Sequence, residues 1–124
     1  MRANRLKLYG LACASAIVLA ACGGGGVSQP AGSIKVSMSD YKFNPSDIST
    51  ASGKIVFYLV NSGTVSHDFV IRDGTGKRVS ASELVSAGDS VVFTVDNLPA
   101  GSYTIFCDQQ GHEALGMKGT LTAT

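Results

Sequence analysis

The stretch from Cys107 to Met117 constrains the fold of this 124-residue chain more than any other. It carries a thiol at Cys107, an imidazole at His112 and a thioether at Met117, with four residues in each gap. Two soft sulfur donors and a borderline nitrogen suit a copper ion that alternates between Cu(I) and Cu(II). Gly111 and Gly116 interrupt the stretch, which predicts a loop bending around a metal rather than a helix face.

A site of this kind needs a second imidazole to complete a set of two histidines and one cysteine, with methionine as a weak axial donor. The chain has only two histidines, so His67 is the candidate. Taken singly, each residue has a simpler explanation: a cysteine or methionine fills the core, and a histidine lies at the surface. Their joint spacing favours the metal site formed by His67, Cys107, His112 and Met117.

Residues 1–21 predict a bacterial lipoprotein signal peptide. A basic start is followed by thirteen apolar residues, 8–20, which are too few to span a bilayer comfortably. The sequence Leu19-Ala-Ala-Cys22 resembles a lipobox, in which the cysteine is lipidated and becomes the mature N-terminus. An ordinary signal peptide that happens to precede a cysteine is the alternative. Lipid on Cys22 would anchor the protein to a membrane, facing the periplasm or the cell exterior.

Processing at this site changes the composition of the folded part. Residues 22–32, the lipidated cysteine and a glycine-rich stretch, predict a flexible tether, and residues 33–124 predict one domain. Cys107 is then the single thiol of that domain, so no internal disulfide can form. Loss of three basic residues with the signal leaves seven basic against nine acidic residues, a net charge of −2, and nothing indicates nucleic-acid binding.

Apolar and polar residues alternate along most of the predicted domain, which is typical of half-buried strands. The same period places Met38 in the core rather than on a metal. It also puts His67, Phe69 and Ile71 on one face, so His67 should point inward. The predicted strands include residues 34–39, 54–61, 67–72, 91–95, 102–107 and 118–124.

Seven or eight short strands with turns at this spacing predict an all-β protein, an antiparallel Greek-key sandwich. Residues 80–83, Ser-Ala-Ser-Glu, match a capping box. We therefore expect one short helical turn there, interrupting the sheet before Gly88.

Two groups of segments resemble the cupredoxin family and together cover nearly all of the chain after the tether. The first comprises Phe43-Asn-Pro-Ser-Asp-Ile48, residues 53–63 and residues 67–71; the second comprises residues 98–107 with His112, Met117 and Gly119. The gaps in the ligand loop are similar to those of auracyanins, sulfocyanins and rusticyanin. The resemblance implies one type 1 (blue) copper ion with His67, Cys107 and His112 equatorial and Met117 axial. The Ser66 carbonyl matches the position of a second, distant axial oxygen in some members.

The resemblance also implies a function: transfer of single electrons between redox partners, without enzymatic activity. Partners are expected to dock briefly near His112 and Leu115, and the protein is expected to be a monomer. A copper chaperone or storage lipoprotein is the main alternative, although such sites tend to be exposed and rich in methionine. A thiol enzyme with a Cys–His pair would leave Met117 without a role. A metal-free adhesion module would need none of the four residues.

The sequence departs from the family at two positions that follow ligands. Many cupredoxins have Asn after the first histidine and Ser or Thr after the cysteine, whereas this chain has Asp68 and Asp108. If these two carboxyl groups met, they would share a proton, because like charges in contact do not both ionise readily. In the alternative, Asp108 turns to solvent and Asp68 alone caps the loop.

Overall fold

The computed structural model describes residues 26–124. The predicted signal peptide, Cys22 and the start of the tether lie outside these residues. The described part contains nine strands and no helix: β1 Ile34–Ser39, β2 Lys42–Asn44, β3 Asp47–Thr50, β4 Gly53–Asn61, β5 Val70–Arg72, β6 Arg78–Ala81, β7 Ser90–Leu98, β8 Gly101–Phe106 and β9 Lys118–Ala123.

The strands form two sheets, one with the order β2-β1-β4-β7 and one with the order β3-β9-β8-β5-β6. This arrangement confirms the predicted β-sandwich, with nine strands in place of seven or eight. Both sheets are mixed rather than purely antiparallel, since β1 pairs with β4 and β3 with β9 in parallel. After β2 the chain crosses to the five-stranded sheet as β3 and then returns to the four-stranded sheet as β4. Because of this crossover, β4 runs beside β1 in the same direction.

The core lies between the sheets and is built around aromatic rings. Phe57 is fully buried, with its ring centroid 5.0 Å from that of Phe69 and 5.9 Å from that of Phe93. Such ring pairs contribute about 0.5–1.5 kcal/mol beyond the area that they bury. Cys107 and Met117 belong to the same buried cluster. Two of the four predicted ligands are therefore part of the core.

The helical turn predicted at residues 80–83 is wrong. Ser80 and Ala81 belong to β6, which pairs with β5, and residues 82–84 are irregular. The Ser82 hydroxyl accepts a hydrogen bond from the Phe69 N–H at 3.0 Å, and the Ser82 N–H donates to the Phe69 carbonyl at 3.0 Å. These bonds to the segment just before β5 replace the local bonds of a capping box, because they satisfy the same backbone groups.

Gly119 lies at the start of β9, where a side chain would collide with the turn before β3. A Cβ atom there would lie 1.9 Å from the Ser46 carbonyl oxygen. That oxygen accepts a hydrogen bond from the Thr120 N–H at 2.8 Å, so it is fixed in place. The contact keeps β9, and with it the end of the ligand loop at Met117, close to the turn that leads into β3, its neighbour in the same sheet.

We expect Gly119→Ala to destabilise the protein by about 1–3 kcal/mol, the usual cost of overpacking a well-packed site. Urea unfolding of the metal-free protein measures this change. Gly74→Ala is the matched control, because no atom lies within 4 Å of its would-be Cβ. Equal unfolding midpoints for the two variants would contradict the predicted role of Gly119.

Candidate metal centre

His67 enters the core just before β5. Its backbone pairs with Val85 in an isolated antiparallel bridge, with the His67 N–H donating at 3.1 Å and the Val85 N–H donating at 2.8 Å. The side chain is completely buried, as the period-two pattern predicted. The bridge fixes the backbone from which the imidazole projects.

Cys107 follows β8 directly, and the loop after it returns to lie beside it. The Cys107 N–H donates to the Met117 carbonyl at 3.0 Å, and the Met117 N–H donates to the His112 carbonyl at 3.0 Å. Gly111 and Gly116 adopt positive φ angles of 84° and 106°, a conformation that glycine adopts without strain. The predicted loop is therefore present, and Met117 lies next to Cys107 with its side chain fully buried.

Three of the four predicted ligands converge through their donor atoms. The Nδ1 atoms of His67 and His112 are 3.2 Å apart, and the Cys107 Sγ lies 3.4 Å from His112 Nδ1 and 3.9 Å from His67 Nδ1. Metal–nitrogen bonds of about 2.0–2.1 Å and metal–sulfur bonds of about 2.3 Å, the values for zinc, place donors roughly 3.1–3.8 Å apart at angles of 100–120°. One small ion with three protein ligands fits these separations.

Burial also favours the neutral form of the thiol. Cys107 is 1 % exposed, and this burial raises the pKa of its thiol to about 11. A buried thiol without a cation therefore stays neutral near pH 7. Binding of a metal would replace the thiol proton, as in other thiolate sites. A buried His–Cys–His cluster is consistent with one type 1 copper ion.

The residues after the two buried ligands have separate partners. The Asp68 carboxylate accepts hydrogen bonds from the Asp108 N–H at 2.6 Å and from the Gln109 side-chain amide at 3.2 Å. The Asp108 carboxylate is half exposed and pairs with Arg78 on β6. The expectation of a shared proton is not supported: Asp68 holds the backbone of the loop, and Asp108 turns outward to an arginine.

A second ion pair fixes the far side of the ligand loop. Glu113 pairs with Arg72 on β5, whose guanidinium also lies 4.3 Å from the centroid of the Phe106 ring. Both partners are partly exposed, and surface pairs of this kind contribute only about 0–1 kcal/mol. The pair connects the ligand loop to β5 of the five-stranded sheet.

Two residues at the site were not predicted from the sequence. Asp40 and Tyr41 form the two-residue turn between β1 and β2. The Asp40 Oδ1 atom lies 3.2 Å from His67 Nε2, and the Tyr41 ring packs edge-on against His112 with centroids 5.0 Å apart. An Asp–Tyr pair in a turn, far along the chain from either histidine, has no ligand-like spacing that would reveal it.

Comparison with known proteins identifies the fold family. Residues 11–123 match the family described as a cupredoxin-like domain, which is most of the chain. The chain belongs to the cupredoxin-like family. This cupredoxin is also similar to an azurin from Pseudomonas denitrificans, with 42% identity over 55 residues. That alignment covers 42% of this chain and 42% of the azurin, less than half of either protein.

Solved structures of other cupredoxins share the fold. Auracyanin B superposes with a TM-score of 0.69 at 23% identity, covering 81% of this chain and 96% of auracyanin B. Auracyanin A, a "blue" copper protein from Chloroflexus aurantiacus, superposes with a TM-score of 0.64 at 17% identity, covering 75% of this chain and 100% of that one. At these identities the similarity establishes the sandwich fold.

The raised pKa of Cys107 makes the metal-free cupredoxin sensitive to alkaline pH. The unfolded thiol ionises near its ordinary value of 9.0, whereas the folded thiol ionises near 11, so the unfolded state loses its proton first. The contribution of Cys107 to stability is therefore complete below pH 9 and is lost as the pH rises through 11.

Urea unfolding of reduced, metal-free protein between pH 8 and 11 tests this prediction. Cys107→Ser is the control, because it retains the other groups that ionise in this range. The wild type should lose stability relative to the serine variant above pH 9, and parallel curves would contradict the prediction.

Proposed function

We propose that this cupredoxin is a membrane-tethered electron carrier, with one copper ion held by His67, Cys107, His112 and Met117. The convergence of two imidazoles and one thiol inside the core of a cupredoxin fold is the observation that carries the proposal. Copper, when bound, supplies a one-electron couple between Cu(I) and Cu(II). The three close donors would be equatorial, and the Met117 thioether would be the weak axial donor.

The chain's own contribution is a site that moves little. His67 is fixed by its bridge to Val85, and the Asp68 carboxylate fixes the backbone after Cys107. Packing in the core restrains the buried Cys107 and Met117 side chains on the remaining sides. Ligands that keep their positions in both oxidation states reduce the reorganisation that accompanies electron transfer.

His112 connects the buried donor atoms to the protein surface and would be the route for the electron. Its side chain is partly exposed, unlike those of His67 and Cys107, and the neighbouring Leu115 is 62 % exposed. Ala114 and Gly116 beside it are also exposed, so the surface around the histidine edge is small and apolar. Such a surface suits brief docking of a redox partner over a small interface with an uncharged centre.

Burial of the donors favours an electron carrier over a copper chaperone or store. A chaperone must hand its ion to a partner and needs donors that a partner's ligands can reach. Here His67, Cys107 and Met117 are at most 1 % exposed, and only His112 reaches the surface. Exchange of the ion would require the ligand loop to open, whereas transfer of an electron does not.

The tether belongs to the same proposal. Lipid on Cys22 would anchor the exported protein at a membrane and let the domain meet partners there. No helix within residues 26–124 is long and apolar enough to cross a bilayer.

The decisive experiment adds Cu(II) to the metal-free protein and records its visible spectrum. The wild type should become intensely blue or green and bleach reversibly on reduction, whereas Cys107→Ser should lose this thiolate-to-copper colour. The serine variant should keep its folded sandwich, which circular dichroism would verify. Retention of the colour by Cys107→Ser would refute the assignment.

Replacement of Met117 tests the axial position. Met117→Leu removes one weak donor and keeps an apolar side chain of similar size, so copper should stay bound. The reduction potential should rise, because loss of the thioether destabilises Cu(II) more than Cu(I). Potentiometry measures the shift, and Met38→Leu is the control, since Met38 is equally buried in β1. Equal potentials for the two variants would argue against Met117 as a ligand.

Replacement of Cys22 tests the anchor. Cys22→Ser should prevent lipidation, so metabolic acyl labelling should be lost and the protein should leave the membrane fraction. Cys107→Ser serves as the control, because it removes a thiol but leaves the lipobox intact. Equal acyl labelling of wild type and Cys22→Ser would show that residues 19–22 are not a lipobox.

A further inference from the structure

The turn between β1 and β2 contacts both imidazoles of the site. Its two residues, Asp40 and Tyr41, come between Ser39 and Lys42, which are directly paired. Tyr41 has a φ angle of 67°, in the left-handed region that residues other than glycine seldom adopt. Such a conformation costs on the order of 1–3 kcal/mol and persists only where the surrounding structure enforces it.

The Asp40 carboxylate is held firmly in this position. Its Oδ1 accepts the Thr64 N–H at 2.9 Å, and its Oδ2 accepts the Thr64 hydroxyl at 2.5 Å. Each oxygen thus accepts a hydrogen bond, and an ordinary carboxyl group has already lost its proton well below neutral pH. The group is therefore an ionised carboxylate near neutral pH, and an ionised carboxylate only accepts hydrogen bonds.

Gly63 provides the space for this contact. A Cβ atom at position 63 would lie 2.4 Å from the Asp40 Oδ1 and 3.0 Å from the His67 Nε2. Any side chain there would come between the carboxylate and the imidazole. Three features thus favour one contact. The turn is strained at Tyr41, the Asp40 carboxylate accepts two hydrogen bonds from Thr64, and Gly63 has no side chain that would block the approach to His67.

The contact determines which ring nitrogen of His67 carries hydrogen. Because Asp40 only accepts, the Nε2 atom, 3.2 Å from Oδ1, must be the donor. The neutral ring then has its lone pair on Nδ1, the atom that faces His112 and Cys107. A metal binds the nitrogen that lacks hydrogen, so this tautomer is the one competent for binding.

We propose that Asp40 is a positioning residue, which fixes His67 in the Nε2–H tautomer and orients its Nδ1 toward the metal site before any ion binds. Gly63 and Thr64 support it. The inference deepens the proposed function, in which His67 is a copper ligand. A carboxylate hydrogen-bonded to a ligating histidine also increases the basicity of that ligand and typically changes metal affinity 10- to 100-fold.

The first measurement uses metal-free protein with ¹⁵N-labelled histidine, in which ring-nitrogen shifts near neutral pH report the tautomer. The wild type should show His67 with Nε2 protonated and Nδ1 free. Asp40→Ala should show a mixture of tautomers. Gly63→Ala should do the same although it keeps the carboxylate, because the new methyl group displaces the contact.

Asp40→Asn is the conservative variant and should keep the wild-type tautomer, because its amide oxygen can still accept from both Thr64 and His67. Asp89→Asn controls for net charge, since the backbone rather than the side chain of Asp89 makes the local bonds to Asn61 and Ser86. If Asp40→Ala and Gly63→Ala both retain the wild-type tautomer, the proposal is overturned. Should Asp40→Ala fail to fold, the comparison of Gly63→Ala with the wild type gives the same test.

The second measurement is Cu(II) affinity by competition with a chelator, followed by potentiometry. Asp40→Ala should bind 10- to 100-fold more weakly, and Asp40→Asn should show a higher reduction potential than Asp89→Asn. An affinity of Asp40→Ala equal to that of the wild type would overturn the positioning role. Failure of the wild type to form a coloured copper complex would instead refute the proposed function, and the tautomer measurement would still decide the role of Asp40.

Discussion

The carboxylate of Asp68 joins the two segments that supply the buried donors. It follows His67 in the chain and accepts the N–H of Asp108, which follows Cys107, at 2.6 Å. Two residues 40 positions apart are thereby tied together through their immediate neighbours. Hydrogen bonds to a carboxylate are shorter and stronger than those between neutral groups. This hydrogen bond therefore holds the start of the ligand loop, after β8, to the segment that leads into β5.

Much of this arrangement could be predicted from the sequence. The sequence pattern predicted six of the nine strands and the burial of His67, because side chains of a strand alternate between faces. The strand expected at residues 67–72 begins only at Val70, and His67 lies before it in an isolated bridge. The glycines of the ligand loop predicted a bend, and the structure has positive φ angles at both Gly111 and Gly116. These features are local, so a single stretch of sequence contains the information.

The features that could not be predicted depend on tertiary contacts. The helical turn expected at residues 80–83 is absent because the Ser82 hydroxyl bonds to Phe69, just before β5 and 13 residues away. Asp40 meets His67 only because β1 pairs with β4 and the chain then turns back through Gly63. The different partners of Asp68 and Asp108 depend on Arg78, which lies on another strand. Residue type and spacing alone do not show these contacts.

The two ion pairs on the ligand loop have a consequence for how partners would approach. Glu113 lies two residues from Leu115 in the chain, and its charge is matched by Arg72; Asp108 is matched by Arg78 in the same way. A matched pair produces a dipolar field, which decays with distance faster than the field of a single charge. The surface beside Leu115 would therefore exert little long-range attraction, and ionic strength should have only a small effect on the rate of encounter with a partner.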